Sequence, residues 1–258
     1  MTNRRDDRPA RLKLLETSTL AVKSASAIAP LGAGLALVVD DDEGIFLADA
    51  AGAATLLRGR DDAKGLGDLE GLCVSDDGAT AYAVSEKKGQ VFALAVERDG
   101  SAVSLGEPEL LGRIERPGDD KKRGWEGAAY LPAGALPGRG ACLALVHEDK
   151  PMALGIFTLP ALDEVALIPL EGPFAEWMGD ASDVTVCPVT GNLFLLSDQS
   201  RRIVEARLGP GGALDPIGRF DLDLTPDEKP EGIAFESDTR LVVVTDDASR
   251  LLRFSVTR

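Results

Sequence analysis

Acidic residues recur at the starts and ends of short apolar runs, and their spacing points to oxygen-ligand chemistry. Four segments share one pattern: an acidic residue or Ser, an apolar run, a polar turn, a second apolar run and an acidic stop. They read LEGLCVSDDGATAYAVSE (69–86), WEGAAYLPAGALPGRGACLALVHE (125–148), ASDVTVCPVTGNLFLLSD (181–198) and PEGIAFESDTRLVVVTD (230–246). A weaker copy, ASAIAPLGAGLALVVD, precedes them at 25–40. Where the two runs form an antiparallel hairpin, the start of the first lies beside the end of the second. That pairs Glu70 with Glu86, Glu126 with Glu148, Ser182 with Asp198 and Glu231 with Asp246.

Carboxylates held this close repel: two unit charges 4 Å apart cost about 4 kcal/mol at an effective dielectric near 20. Either some are protonated, with raised pKa values, or a cation sits among them. Carboxylates splayed into solvent at loop ends are the plain alternative. All the donors are oxygens and the chain has one histidine, which disfavours zinc and favours a hard cation, calcium first and magnesium or manganese next. The expected ligands are Glu70, Glu126, Asp180 and Glu231, with a second ring from Asp40, Glu86, Glu148, Asp183, Asp198 and Asp246.

Other side chains on the same face could take part. Lys87, Lys150 and Arg201 follow the acidic stops and could meet an anionic ligand, although solvated local ion pairs are the commoner use of such residues. Trp125 adjoins Glu126 and could wall a pocket; packing between blades is the alternative. His147 precedes Glu148 and is the expected general base if the site is catalytic, against a hydrogen-bonded structural histidine. No GxSxG elbow and no Walker-type phosphate loop is present, so serine-nucleophile hydrolysis and nucleotide binding have little support.

The elements that must position these residues repeat along the chain. The stops Asp40, Glu86, Glu148, Asp198 and Asp246 are 46, 62, 50 and 48 residues apart, the longest interval containing the insertion PAGALPGRG. A further strand follows each stop and a fourth follows in most copies, the period of a propeller blade. The fold expected is all-β: a single five-bladed β-propeller over 1–258. Residues 1–9 are expected to be flexible, and 10–20 to supply the strand that closes the last blade, since closure removes exposed sheet edges. The first strand of every blade lines the central channel, so five copies bring the acidic starts to one mouth. FAEWMGD (174–180) is the expected helical turn.

Composition bounds the function. A net charge of −15 repels phosphate backbones and excludes a nucleic-acid partner. No apolar run approaches the roughly 20 residues of a spanning helix, and no secretory apolar stretch opens the chain, so the expectation is a cytoplasmic protein with no membrane partner. Cys73, Cys187 and Cys142 each sit in an apolar run and read as buried free thiols.

The segments DLEGLCVSDDGATAYAVSEKKGQVFAL, GWEGAAY with LALVHEDKP, DASDVTVCPVTGNLFLLSDQSRRIVEARL and KPEGIAFESDTRLVVVTDDASRLLRF together resemble the SdiA-regulated family of bacterial propellers, and more loosely the esterase-like phytase and NHL-repeat groups. The resemblance implies five blades and a calcium site in the channel mouth. On it, Glu70, Glu126 and Glu231 match the family's Glu-Gly positions, and Asp180 matches the Asp of an Asp-x-Ser-Gly segment. The Gly of that segment is here Asp183. Three functions remain open at this stage: a cation-binding propeller whose mouth takes a small molecule or partner protein without catalysis, a metal-dependent hydrolase of an ester, lactone or phosphoester, and a protein-interaction scaffold.

Overall fold

The computed structural model describes residues 9–62, 66–100, 102–118, 123–209 and 212–258. The N-terminal stretch 1–8 and most of the DDKKRG loop, 119–122, lie outside the described residues. Strand β1 (Arg11–Thr19) comes first. Blade 1 follows as β2 (Ala25–Gly32), β3 (Leu35–Asp40), β4 (Gly44–Ala48) and β5 (Ala54–Gly59). Blade 2 is β6 (Leu69–Val74), β7 (Thr80–Ser85), β8 (Gln90–Asp99) and β10 (Glu109–Arg113), with β9 (Ala102–Leu105) pairing the far end of β8. Blade 3 is β11 (Trp125–Leu131), β12 (Cys142–His147), β13 (Ala153–Thr158) and β14 (Glu164–Pro169). A one-turn helix, α1 (Pro173–Trp177), leads to blade 4: β15 (Asp183–Val186), β16 (Leu193–Ser197), β17 (Arg202–Leu208) and β18 (Leu214–Asp221). Blade 5 is β19 (Lys229–Ser237), β20 (Arg240–Asp246) and β21 (Arg250–Thr257), completed by β1.

The chain is thus a five-bladed β-propeller closed by its N-terminal strand. β1 runs antiparallel to β21, from Arg11 opposite Thr257 to Thr19 opposite Arg250. The same corner is clasped by Glu205, which is fully buried and accepts from the Ala10 N–H (2.8 Å), Asn192 Nδ2 (2.6 Å) and Arg258.

Alternation explains how the blades stack. Successive side chains of a strand point to opposite faces, and here each face meets a neighbouring blade. Leu37 and Val39 enter the apolar seam between blades 1 and 2, while Val38 enters the seam between blades 5 and 1. Likewise Leu195 packs between blades 3 and 4, and Phe194 and Leu196 between blades 4 and 5. Strands buried on both faces therefore read as continuous apolar runs. The strands β2, β6, β11, β15 and β19 lie next to one another around the axis. Each ends its own sheet, so one backbone edge of every inner strand faces the channel.

The fourth strand of blade 2 is the least regular part. β8 runs on beyond the blade into a hairpin with β9 before the chain returns as β10. No helix among the described residues is long and apolar enough to cross a membrane.

Candidate functional site

The site is built by the five inner hairpins at one end of the channel. At the corresponding place on each inner strand stand Ser26, Glu70, Glu126, Ser182 and Glu231. The glycines after the glutamates are needed for packing, because adjacent inner strands come within contact of their backbones. A Cβ on Gly71 would sit 2.6 Å from the Glu126 carbonyl oxygen, and one on Gly232 would sit 2.8 Å from Ala27 Cα. The Glu-Gly pair thus combines a close approach with a carboxylate carried to the mouth.

The carboxylates do converge. Glu86, Glu126 and Glu148 each offer an oxygen, and the three lie within 4.8 Å of one another. Glu86 follows β7, Glu126 opens β11 and Glu148 follows β12, so this cluster sits at the seam of blades 2 and 3. Burial raises the Glu126 carboxyl well above its usual range, and the charges of Glu70, Glu86, Glu148 and Glu231 add to the rise. Burial also pushes Glu70 to about 8 against a relieving hydrogen bond from Ser26, and pushes Glu231 to about 9 with help from Asp198 and Glu70. Glu86 is raised by burial and partly relieved by Lys87.

Asp180 is buried beside blade 4 and accepts from Ser197 Oγ at 2.5 Å. Burial, then a hydrogen-bonding contact with the Asp198 carboxyl, pushes it to about 8. These carboxyls suffer a repulsion that a cation would remove. The donor set, hard oxygens only, fits calcium: two Ca–O bonds of 2.3–2.6 Å span about 4.6–5.2 Å, enough to bridge the cluster.

The outer acids are engaged differently. Asp40 is buried and caps a loop, accepting from the N–H groups of Ser24 (3.2 Å), Asp42 (3.0 Å) and Glu43 (2.8 Å). Glu148 pairs with Arg123, and Lys87 with Asp68 and, at 3.5 Å, with Glu86. Asp246 is half-buried and 4.0 Å from Lys229. Lys150 pairs with Asp149 at 3.0 Å on the exposed loop. Arg201 is half-buried in the loop after β16, its backbone N–H bound to the Asp198 carbonyl at 3.0 Å.

Asp183 departs from the second-ring expectation. Its side chain turns into the channel below the mouth and is fully enclosed there. Oδ1 accepts from the N–H groups of Ala128 (3.2 Å) and Val184 (2.7 Å), and Oδ2 from that of Ile233 (2.7 Å). Those donors lie on the inner strands of blades 3, 4 and 5, so one carboxyl ties three channel-facing edges together. The sequence hides this role, because Asp183 occupies the place of a Gly and reads as one more mouth acid. Gly127 is its complement: a Cβ there would overlap the Asp183 backbone and carboxyl.

Trp125 and His147 belong to the interior. Trp125 is buried, donates from Nε1 to the Glu115 carbonyl (3.3 Å) and packs edge-on against Phe157 and His147. His147 is equally buried, with Nδ1 2.8 Å from the Pro151 carbonyl oxygen, and burial lowers its pKa. They stand opposite each other on β11 and β12, one residue away from Glu126 and Glu148. The pairing is bulged between Trp125 and Ala128, and the pair packs deeper in the apolar seam between blades 2 and 3, with Trp125 among Val84, Val91 and Phe157.

The model of the SdiA-regulated family matches residues 29–255. Among solved structures, the Myxococcus xanthus glutaminyl cyclase is 16% identical with a TM-score of 0.63, covering 96% of this chain and 97% of its own. The PQQ-bound aldose sugar dehydrogenase of Streptomyces coelicolor is also 16% identical, with a TM-score of 0.56 and coverages of 96% and 99%. A candidate gluconolactonase is 12% identical, with a TM-score of 0.55 and coverages of 97% and 94%. At these identities the likeness is one of fold. No curated protein matches the chain in sequence.

Proposed function

Because the chain belongs to the SdiA-regulated family, a propeller family, and gathers partly buried carboxyls at one channel mouth, we propose that it binds a divalent cation there, calcium before magnesium or manganese. The bound cation then makes the mouth a landing place for a small molecule or a partner protein. The observation that carries this reading is the Glu86–Glu126–Glu148 cluster, three carboxyl oxygens within 4.8 Å, with Glu126 held far above the usual carboxylate range. Glu70, Glu231 and Asp180 face the same mouth and complete the donor set.

The test is thermal unfolding of chelator-stripped protein with and without calcium, magnesium or manganese. A cation at 100 times its dissociation constant stabilises the native state by about 2.7 kcal/mol. Calcium is expected to raise the melting temperature of the wild type and not that of Glu126→Gln. No shift with any cation sinks the reading.

A second reading is hydrolysis of an ester, lactone or phosphoester. It is favoured by the crowding of carboxyls at the mouth, where Glu70, Glu126 and Glu231 stand on inner strands of one ring and one not engaged by the cation could take and return a proton. A bound cation would supply Lewis-acid polarisation of the scissile oxygen. Cation-dependent turnover of a lactone or aryl ester, lost in Glu231→Gln, is the expected result. Turnover that survives that substitution removes Glu231 from the chemistry.

A further inference from the structure

Beneath Asp183 the channel opens again toward the face of the hairpin turns. The inner strands enclose a second cavity there, of about 720 Å3. Ala128 and Ile233, whose N–H groups bind the Asp183 carboxyl, both line it, so the cavity reaches the level at which Asp183 ties the inner strands together.

Apolar and polar surface share the walls: Val186, Phe235 and Tyr130, the last stacked on Tyr82 at 6.1 Å between ring centroids, stand among strand backbone, while Ile28 and Leu72 are packed in the seams between blades. The charged residues in the lining are Asp76 and Arg207, one of each sign, so the cavity has no net charge to attract an ion. Polar contacts are nevertheless at hand. The inner strands present backbone edges that pair with no neighbouring strand, and the buried Asn192 stands in the wall. The volume falls within the roughly 300–1,000 Å3 of clefts that take small organic ligands.

We propose that this cavity is a binding site for an uncharged small molecule with an apolar body and hydroxyl or carbonyl groups. The apolar body lies against Tyr130, Val186 and Phe235, and the polar groups bond the unpaired edges of the inner strands. A charged ligand would leave water at a cost that the balanced charges of this lining do not offset, which is why the two ends of the channel select different chemistries.

Nile red, uncharged and carbonyl-bearing, is a suitable probe. The wild type is expected to bind it saturably at one site, with a blue-shifted emission. Val186→Glu, which places a charge in the wall, is expected to weaken binding by at least about tenfold. Leu15→Ser removes an exposed apolar residue of β1, 51% accessible and far from the cavity, and is expected to change nothing. Because Val186→Glu could disturb folding, the wild-type crystal soaked with 4-bromophenol gives a second readout, bromine located by its anomalous signal inside the cavity. Unsaturable binding, binding lost in Leu15→Ser and kept in Val186→Glu, or bromine only elsewhere overturns the proposal.

Discussion

The two ends of this channel are made from the same five strands and could hardly differ more. At the starts of β6, β11 and β19 stand Glu70, Glu126 and Glu231; toward their far ends stand Val74, Tyr130 and Phe235. The first end concentrates negative charge at a cost that burial makes visible in every raised carboxyl. The second carries a balanced pair of charges around a cavity of mixed apolar and backbone surface. One repeat thus builds two unlike environments because a strand that crosses the ring has two termini, and each meets water separately. Asp183 makes the division physical, since its carboxyl bridges blades 3, 4 and 5 between the two.

The sharpest way to break the contrast is to remove the divider. Asp183→Ala leaves three enclosed N–H groups without their acceptor, at about 1–3 kcal/mol each when unsatisfied. A loss of about 3 kcal/mol or more in unfolding free energy is expected by denaturant titration. Stability within about 1 kcal/mol of wild type would mean that water or a neighbour replaces the carboxyl.

Next in size is the response of the acidic end to pH. Glu70, Asp180 and Glu231 have folded pKa values raised to about 8, about 8 and about 9 from ordinary values of 4.5, 3.8 and 4.5. An acid whose folded pKa lies above its unfolded one favours the fold while protonated in both states, below about pH 4. That contribution is lost as pH rises, and the loss is complete above about pH 9. Chelator-stripped protein should therefore grow less stable between about pH 4 and 9. Calcium should reverse the trend and release protons on binding, read as a calorimetric enthalpy that changes with the buffer's ionisation heat. A flat pH profile without metal argues that the carboxyls are already relieved.

Smaller effects refine the boundary. His147→Gln should cost about 1 kcal/mol by weakening the bond to Pro151 while leaving calcium affinity unchanged, because the ring sits in the seam with Trp125. A tenfold change in affinity would return His147 to the mouth. Lys87→Met removes an exposed partner of Asp68 and Glu86, an interaction worth about 0–1 kcal/mol. It should leave stability nearly unchanged and tighten calcium binding slightly. Weaker binding in a calcium isotherm would show that Lys87 orders the site.

The sequence made the fold legible because each acidic stop closes a hairpin at nearly constant spacing, and Asp40, Glu86, Glu148, Asp198 and Asp246 all fall at or just past the end of a second strand. The hairpin pairing also brought Glu126 and Glu148 together before any coordinates. What stayed hidden depends on where a side chain turns. Asp183 and Asp40 look like any mouth acid, yet both spend their oxygens on backbone N–H groups. Trp125 beside Glu126 looked available to a ligand, but it packs in the seam against Phe157 and His147. The second cavity left no trace, since Tyr130, Val186 and Phe235 read as ordinary core.

The closing strand carries a consequence for how the molecule is made. β1 is synthesised first and finds its partner, β21, last, across nearly the whole chain. Until then it waits as an open edge with Leu14 and Leu15 exposed on it, the kind of edge that templates pairing with another chain. During that interval the β21 of another copy offers the same register as its own. Ring closure therefore competes with strand exchange between copies, and the outcome depends on how crowded the newly made chains are.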